Sequence, residues 1–173
     1  MNDQVFIDAI PKIETIVWQK IDQSYWKALR LEWLIVSVLL LLTSIVAVVF
    51  NWKQLNSLTI VLIVIGWLII TSLYYIIMQQ SFKRRAYAVR QRDILYRSGW
   101  IIHKVTACPY NRIQHCSVNA GIIDRKFKLA SLILYTAGAG GADLHIRGLR
   151  NEIAEQLKEL VIAKINTDEE TVG

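Results

Sequence analysis

The sequence predicts an α+β membrane protein: a hairpin of two transmembrane helices, then a small β-sandwich or partial barrel closed by a C-terminal helix. Three observations carry this expectation. Two long uncharged runs, Trp33–Phe50 and Leu58–Met78, stand back to back. After them come short alternating or apolar segments separated by turn residues. The chain then shows one amphipathic helical pattern, Glu152–Ile165.

Composition sets the outer limits. Of 173 residues, 54% are hydrophobic and 20% charged, against about 45–50% and about 25% in ordinary soluble domains. The excess sits in the two runs, which excludes a simple soluble globule. It also excludes disorder, which needs low hydrophobicity. Two cysteines exclude a disulfide framework.

In residues 1–30, Ile10, Ile13, Val17, Ile21 and Tyr25 recur at spacings of three to four, with Trp18 and Trp26 among them. That spacing predicts an amphipathic arm, helical from about Pro11. Three readings stand for it: an interfacial anchor, a packing element of the domain, or a plain lead-in to the first span.

The hairpin occupies residues 31–78. The runs of 18 and 21 uncharged residues match the roughly 20 helical residues that a hydrocarbon core of about 30 Å requires. A cleaved signal peptide does not fit, because the first run starts late and no small-residue cleavage site follows it. The seven-residue connector Asn51–Ser57 forces an antiparallel pair with both flanks on one side. Lys20, Lys27 and Arg30 precede the first run, and Lys83, Arg84, Arg85, Arg90, Arg92 and Arg97 follow the second; the connector holds only Lys53. The positive-inside rule makes both flanks cytoplasmic. Trp33, Trp52, Tyr74 and Tyr75 lie near the span ends, where amphipathic rings suit the headgroup layer. Glu32 borders the first span, and Gly66 lies mid-span, where glycine permits close helix approach.

Residues 79–165 form the expected domain, and 166–173 a polar, flexible tail. Residues 79–173 hold 15 Lys or Arg and 9 Asp or Glu, a net +6 that accounts for the whole chain's charge. Strands are predicted at 82–89, 94–97, 100–107, 113–118, 132–136 and 142–146, with Ser98-Gly99 and Gly138–Gly141 as turns. Residues 122–129 read as a helical turn or crossover. In the last helix, Ile153, Leu157, Leu160, Val161 and Ile165 form the core-facing stripe.

Within this frame the motifs resemble a known family. Gly99-Trp100, Val105-Thr106, Pro109, Arg112-Ile113-Gln114-His115, Gly121, Arg125, Phe127, Leu129-Ala130 and Tyr135-Thr136-Ala137-Gly138 resemble the bacterial pleckstrin-homology-like domain of YdbS-type two-helix membrane proteins. Tyr25-Trp26-Lys27-Ala28-Leu29 and the order of parts are similar too. The resemblance covers about residues 25–162. It implies a PH-like fold, two packed and nearly orthogonal sheets with a C-terminal capping helix, and it implies no enzyme. Lys128 stands where the family usually has glycine, which bears on the turn before Leu129. Phosphoinositide binding, frequent in eukaryotic PH domains, is only fold-level analogy.

Each chemical motif has a plain structural reading beside the functional one. The basic cluster after the second span is either a topology signal or an anionic-lipid contact through Lys83, Arg85, Arg90 and Arg92. On a strand, alternation sets Lys83 and Arg85 apart from Arg84. Arg112 and Gln114 either fix a turn, with Arg112 paired to Asp124, or contact a partner. His103, Cys108, His115 and Cys116 lack zinc-site spacing, since His115 and Cys116 point to opposite faces of one strand. Gly138–Gly141 lacks the Gly-Lys-Ser/Thr of a phosphate loop, and no catalytic motif occurs. The basic charge comes without a nucleic-acid recognition motif.

These readings give one functional expectation and an alternative. The first is a non-catalytic, cofactor-free binding or scaffold module in the bacterial inner (plasma) membrane. It assembles with itself or with another membrane protein at the cell envelope. The alternative is an anionic-lipid headgroup sensor using the juxtamembrane basic edge. Two spans with no ionisable residue within them offer no ion path unless many copies assemble.

Overall fold

In the computed structural model, residues 16–51, 53, 55–136 and 144–172 are described, with side chains as far as Ile165. The first part of the arm with Pro11, Trp52, the Gly138–Gly141 turn and Asp143 lie outside these residues.

Strand β1, Gln19–Lys20, precedes helix α1, Ser24–Phe50, and helix α2, Ser57–Arg84. Then come β2 (Ala86–Val89), β3 (Asp93–Ser98), β4 (Lys104–Pro109), a 3-10 turn (Tyr110–Arg112), β5 (Ile113–Asn119), α3 (Ile122–Lys126), β6 (Leu129–Thr136), β7 (Leu144–Arg150) and α4 (Asn151–Val172). One antiparallel sheet has the order β1-β2-β3-β4 and the other β5-β6-β7. This is the α+β, PH-like architecture the sequence predicts, with two sheets and a closing helix.

The sandwich core is packed with side chains. Ile94 and Tyr110 from the first half meet Leu132, Leu134 and Ile146 from the second, all with no solvent exposure. Helix α4 adds Ala154, Leu157 and Val161. Leu160, expected on that stripe, is instead partly exposed, because Ala154 occupies the buried face one and two turns before Leu157 and Val161. The helix continues past Ile165, where a flexible tail was expected, to Val172; extending a formed helix costs little.

Three local expectations change. The arm is extended at Gln19–Lys20, where it pairs with β2 (Gln19 opposite Tyr87), and helix begins only at Ser24. The unpaired edge of β2 offers backbone hydrogen bonds that outweigh the helical pattern. Residues 82–84, read as strand, complete α2 because Phe82 packs against Tyr25 and Trp26 (centroids 6.4 and 5.5 Å). The strand read from Trp100 begins at Lys104. Gly99, at φ +88°, approaches the Ile102 carbonyl so closely that a Cβ has no room, and Trp100, Ile101 and Ile102 become the turn.

The two long helices are tied by indoles. Trp33 Nε1 donates to the Thr71 carbonyl (3.0 Å), and Trp67 Nε1 to that of Ser37 (3.2 Å). A Cβ at Gly66 meets nothing within 4 Å, so helix approach does not depend on it.

A second apolar cluster joins the helices to the domain. Ile21, Tyr25, Ala28 and Leu29 meet Met78 and Leu129, with Phe82, Ile123 and Phe127 around them. Its tightest point is Gly148, at φ +79°, where a Cβ lies 2.6 Å from the Tyr25 ring. Gly148 sits at a register shift of β6 against β7, a bulge that only glycine accommodates so closely. Asp22 fastens the same corner. Its N–H donates to the Gly148 carbonyl (2.9 Å), and its carboxylate accepts from Ser24 N–H (2.7 Å) and Arg150 Nε (2.8 Å).

Lys128 adopts φ +56° in the turn leaving α3, the left-handed conformation that glycine takes without cost. Replacing Gly148 with alanine is therefore expected to destabilise the full chain by about 2–5 kcal/mol, from left-handed strain plus overpacking. Lys128→Gly is expected to stabilise it by about 0.5–1 kcal/mol. Thermal unfolding in mild detergent reads both.

Candidate functional site

The first three turns of α1 lie beside the outer face of the β5-β6-β7 sheet, packed on it at Tyr25 and Leu29. Between them runs a groove of about 650 Å³. On the helix side it is walled by Leu29, Glu32 and Ile35. Helix α3 contributes Ile122, Ile123 and Asp124. The floor comes from alternation. In β7, Leu144 and Ile146 point into the core, so His145 and Arg147 point out, next to Ile133 of β6.

The lining mixes signs: Glu32 and Asp124 share it with Arg147 and His145. Asp124 is committed locally, its carboxylate accepting from the Gly121 N–H (3.3 Å) at the start of α3. Burial first, then the neighbouring Arg147 charge, hold the His145 imidazole below its ordinary pKa. Such a groove offers apolar contact, both signs of charge and hydrogen-bond donors, without a nucleophile paired to a base.

The residues singled out for lipid contact are not gathered on one edge. Lys83 is exposed in the last turn of α2, where its charge suits the helix dipole. Lys83 and Arg84 are helical, so strand alternation does not separate them. Arg85 turns inward: its Nη1 donates to the Tyr25 hydroxyl (2.7 Å) and the guanidinium lies 5.4 Å from that ring. Arg90 grips Asp93 through Nε and Nη2 (2.7 and 2.8 Å). Arg92 is exposed, and its carbonyl accepts from Tyr110 N–H (3.1 Å). Arg90 and Arg92 lie at the turn after β2, while Lys83 and Arg85 lie before it, with the four residues Ala86–Val89 between them.

Arg112 and Gln114 are exposed, at the end of the 3-10 turn and on β5. No ion pair joins Arg112 to Asp124 among the described residues. His103 is exposed on the β3–β4 turn, the His115 ring lies tilted against Tyr135 (centroids 4.4 Å apart), Cys108 lies in the core and Cys116 faces the Lys158 carbonyl (4.0 Å). Among the described residues no three His, Cys, Asp or Glu come together.

Sequence reasoning missed the groove. The Leu-His-Ile-Arg alternation at 144–147 places His145 and Arg147 on one face, but nothing in the sequence sets α1 against that face. It also missed the exposed turn at the α2 end of the first sheet. Ala86, the start of β2, pairs with Arg97, so the β3–β4 turn emerges where α2 arrives. There Ile101 and Ile102 are 71% and 80% exposed.

Two antiparallel sheets and a closing C-terminal helix make a PH-like domain, and the sequence relationship agrees. The chain belongs to the bacterial PH domain family, whose sequence profile matches residues 27–165. The match takes in both α1 and α2, so the helical hairpin is part of the family unit. No curated protein and no solved structure matches the chain significantly.

Two pH dependences follow. His145 binds its proton less readily folded than unfolded, so protonation favours unfolding. Stability contributed by the neutral imidazole is lost as pH falls from about 6.5, the unfolded value, through the lower folded value. His145→Gln is expected to flatten that part of the stability–pH curve. At Asp22, burial raises the carboxyl pKa, but the Ser24 and Arg150 interactions outweigh it and the net shift is downward. Its contribution is present above about pH 4 and lost as pH falls through the folded value. Asp22→Asn is expected to cost about 0.5 kcal/mol at neutral pH, the loss of the charge that pairs with the largely exposed Arg150. Unfolding curves from pH 3 to 8 check both.

Proposed function

We propose that this chain is a two-span membrane protein of the bacterial inner membrane, with its PH-like domain and both flanks of the hairpin in the cytoplasm. In this reading the domain is a non-catalytic binding module that assembles with itself or with another membrane protein. The observation that carries it is the open groove between α1 and the β5-β6-β7 sheet. The groove joins a helix long and apolar enough to cross a membrane to a PH-like sheet, and its mixed charge and apolar walls suit a polypeptide surface.

Several features support the membrane placement. Each helix contains a strongly apolar stretch that is only 6% buried within the protein, unlike a soluble core helix. The charge asymmetry around the hairpin favours a cytoplasmic domain. The exposed Ile101-Ile102 turn lies at the end of the first sheet that α2 reaches. The alternative, a headgroup sensor using Lys83, Arg85, Arg90 and Arg92, has less support, because Arg85 and Arg90 are engaged within the protein and the two pairs flank opposite ends of β2.

The test is mild detergent extraction followed by mass measurement of the purified particle. A stable homo- or hetero-complex is expected. Arg147→Glu, an exposed reversal inside the groove, is expected to weaken it about tenfold or more. A strictly monomeric, partnerless particle, or a complex indifferent to Arg147→Glu and to Ile133→Asp, overturns the assembly reading. Release of the chain from membranes by alkaline carbonate overturns the spans.

A further inference from the structure

On the opposite flank of α1 a second groove, of about 790 Å³, opens between α1 and α2. Two cations stand at its rim, Lys27 and Arg30, three residues apart on α1 and therefore on one face. Below them Trp33 and Tyr75 form an aromatic step, with ring centroids 5.3 Å apart in an edge-on arrangement. Beneath these the walls are apolar, Leu34 from α1 and Ile76 from α2. The lining includes no acidic residue. Neither Lys27 nor Arg30 is ion-paired among the described residues; Arg30 instead lies 5.8 Å from the Trp26 ring.

The vertical order matches one kind of ligand. Trp33 opens the uncharged run of α1, so the cations stand just outside the apolar layer and Leu34 just inside it. We propose that this groove is a binding site for one anionic phospholipid. Lys27 and Arg30 take the phosphate, and the Trp33–Tyr75 step accommodates the glycerol region. An acyl chain lies along Leu34 and Ile76. Basic recesses between spans on the cytoplasmic side are suited to anionic headgroups, and aromatic residues at the span boundary suit the ester layer. The site differs from the other groove in chemistry: cationic above apolar here, mixed in charge there. It also differs from the cluster after α2, whose Arg85 is turned inward. The proposal rests on the membrane-spanning part of the proposed function and is independent of the assembly part.

The experiment uses the full chain in mild detergent and native mass spectrometry, titrating phosphatidylglycerol against phosphatidylcholine. One phosphatidylglycerol is expected to be retained in preference to phosphatidylcholine. The preference is about fivefold for each cation and so about 30-fold for the pair. Lys27→Gln with Arg30→Gln is expected to abolish it. Lys104→Gln with Lys126→Gln removes the same charge from the exposed surface of the domain and is expected to leave it intact. The charge-conserving pair Lys27→Arg with Arg30→Lys is expected to keep it, which guards against a variant that merely misfolds. Equal retention of the two lipids overturns the site, as does a preference that survives loss of Lys27 and Arg30. Glycerol phosphate competing as well as phosphatidylglycerol also overturns it, because the apolar walls then contribute nothing. Carbonate extraction of the same membranes separates the two failures. A chain that stays in the pellet but shows no preference loses only the lipid site, whereas a chain that is released loses the spans.

Discussion

The packing of the Tyr25 ring on the backbone of Gly148 sets how closely α1 approaches the second sheet, and the other features of the corner follow from that distance. A side chain at 148 has no room, so β7 bulges there and turns its carbonyl to the Asp22 N–H. Asp22 in turn accepts from the Ser24 N–H at the start of α1 and holds Arg150. Arg85, arriving at the end of α2, completes the corner by donating to the Tyr25 hydroxyl. Four segments distant in sequence are thus joined at one ring, and no flexible linker separates the helical hairpin from the domain.

That corner also explains why the two sides of α1 differ. Where Tyr25 and Leu29 are drawn onto the sheet, the helix turns its mixed face, with Glu32, toward His145 and Arg147. The face carrying Lys27 and Arg30 is left against α2 and open to the surroundings. The amphipathic pattern of the N-terminal region serves the domain, since Ile21 and Tyr25 are buried in the seam, while Val17 on the same apparent stripe is 85% exposed.

How much of this was legible depends on the distance over which each feature is decided. The two apolar helices follow from composition alone, because an uncharged run of that length has few alternatives. Most strands follow from alternation and turn residues within a few positions, and the odd residue at position 128 was visible as a departure from glycine. Phe82 was misread because its helical state depends on Tyr25 and Trp26, more than fifty residues away. The strand at Gln19–Lys20 was missed because only the edge of β2 makes it one. The groove was hidden for the same reason: periodicity shows that His145 and Arg147 share a face, but not that α1 lies across from it.

The seam has a consequence for how the chain is made. Arg150 lies 128 residues after its partner Asp22. At a synthesis rate of about 5–20 residues per second, roughly 6–25 s separate the appearance of the two partners. Within that interval the hairpin is finished, at Arg84, while Ile21, Tyr25 and Leu29 still lack the β6 and β7 surface that buries them. The domain must therefore be built onto a helix already in place, with an apolar face waiting at the mouth of the ribosome's product. The last strand, by reaching Gly148, ends the exposure.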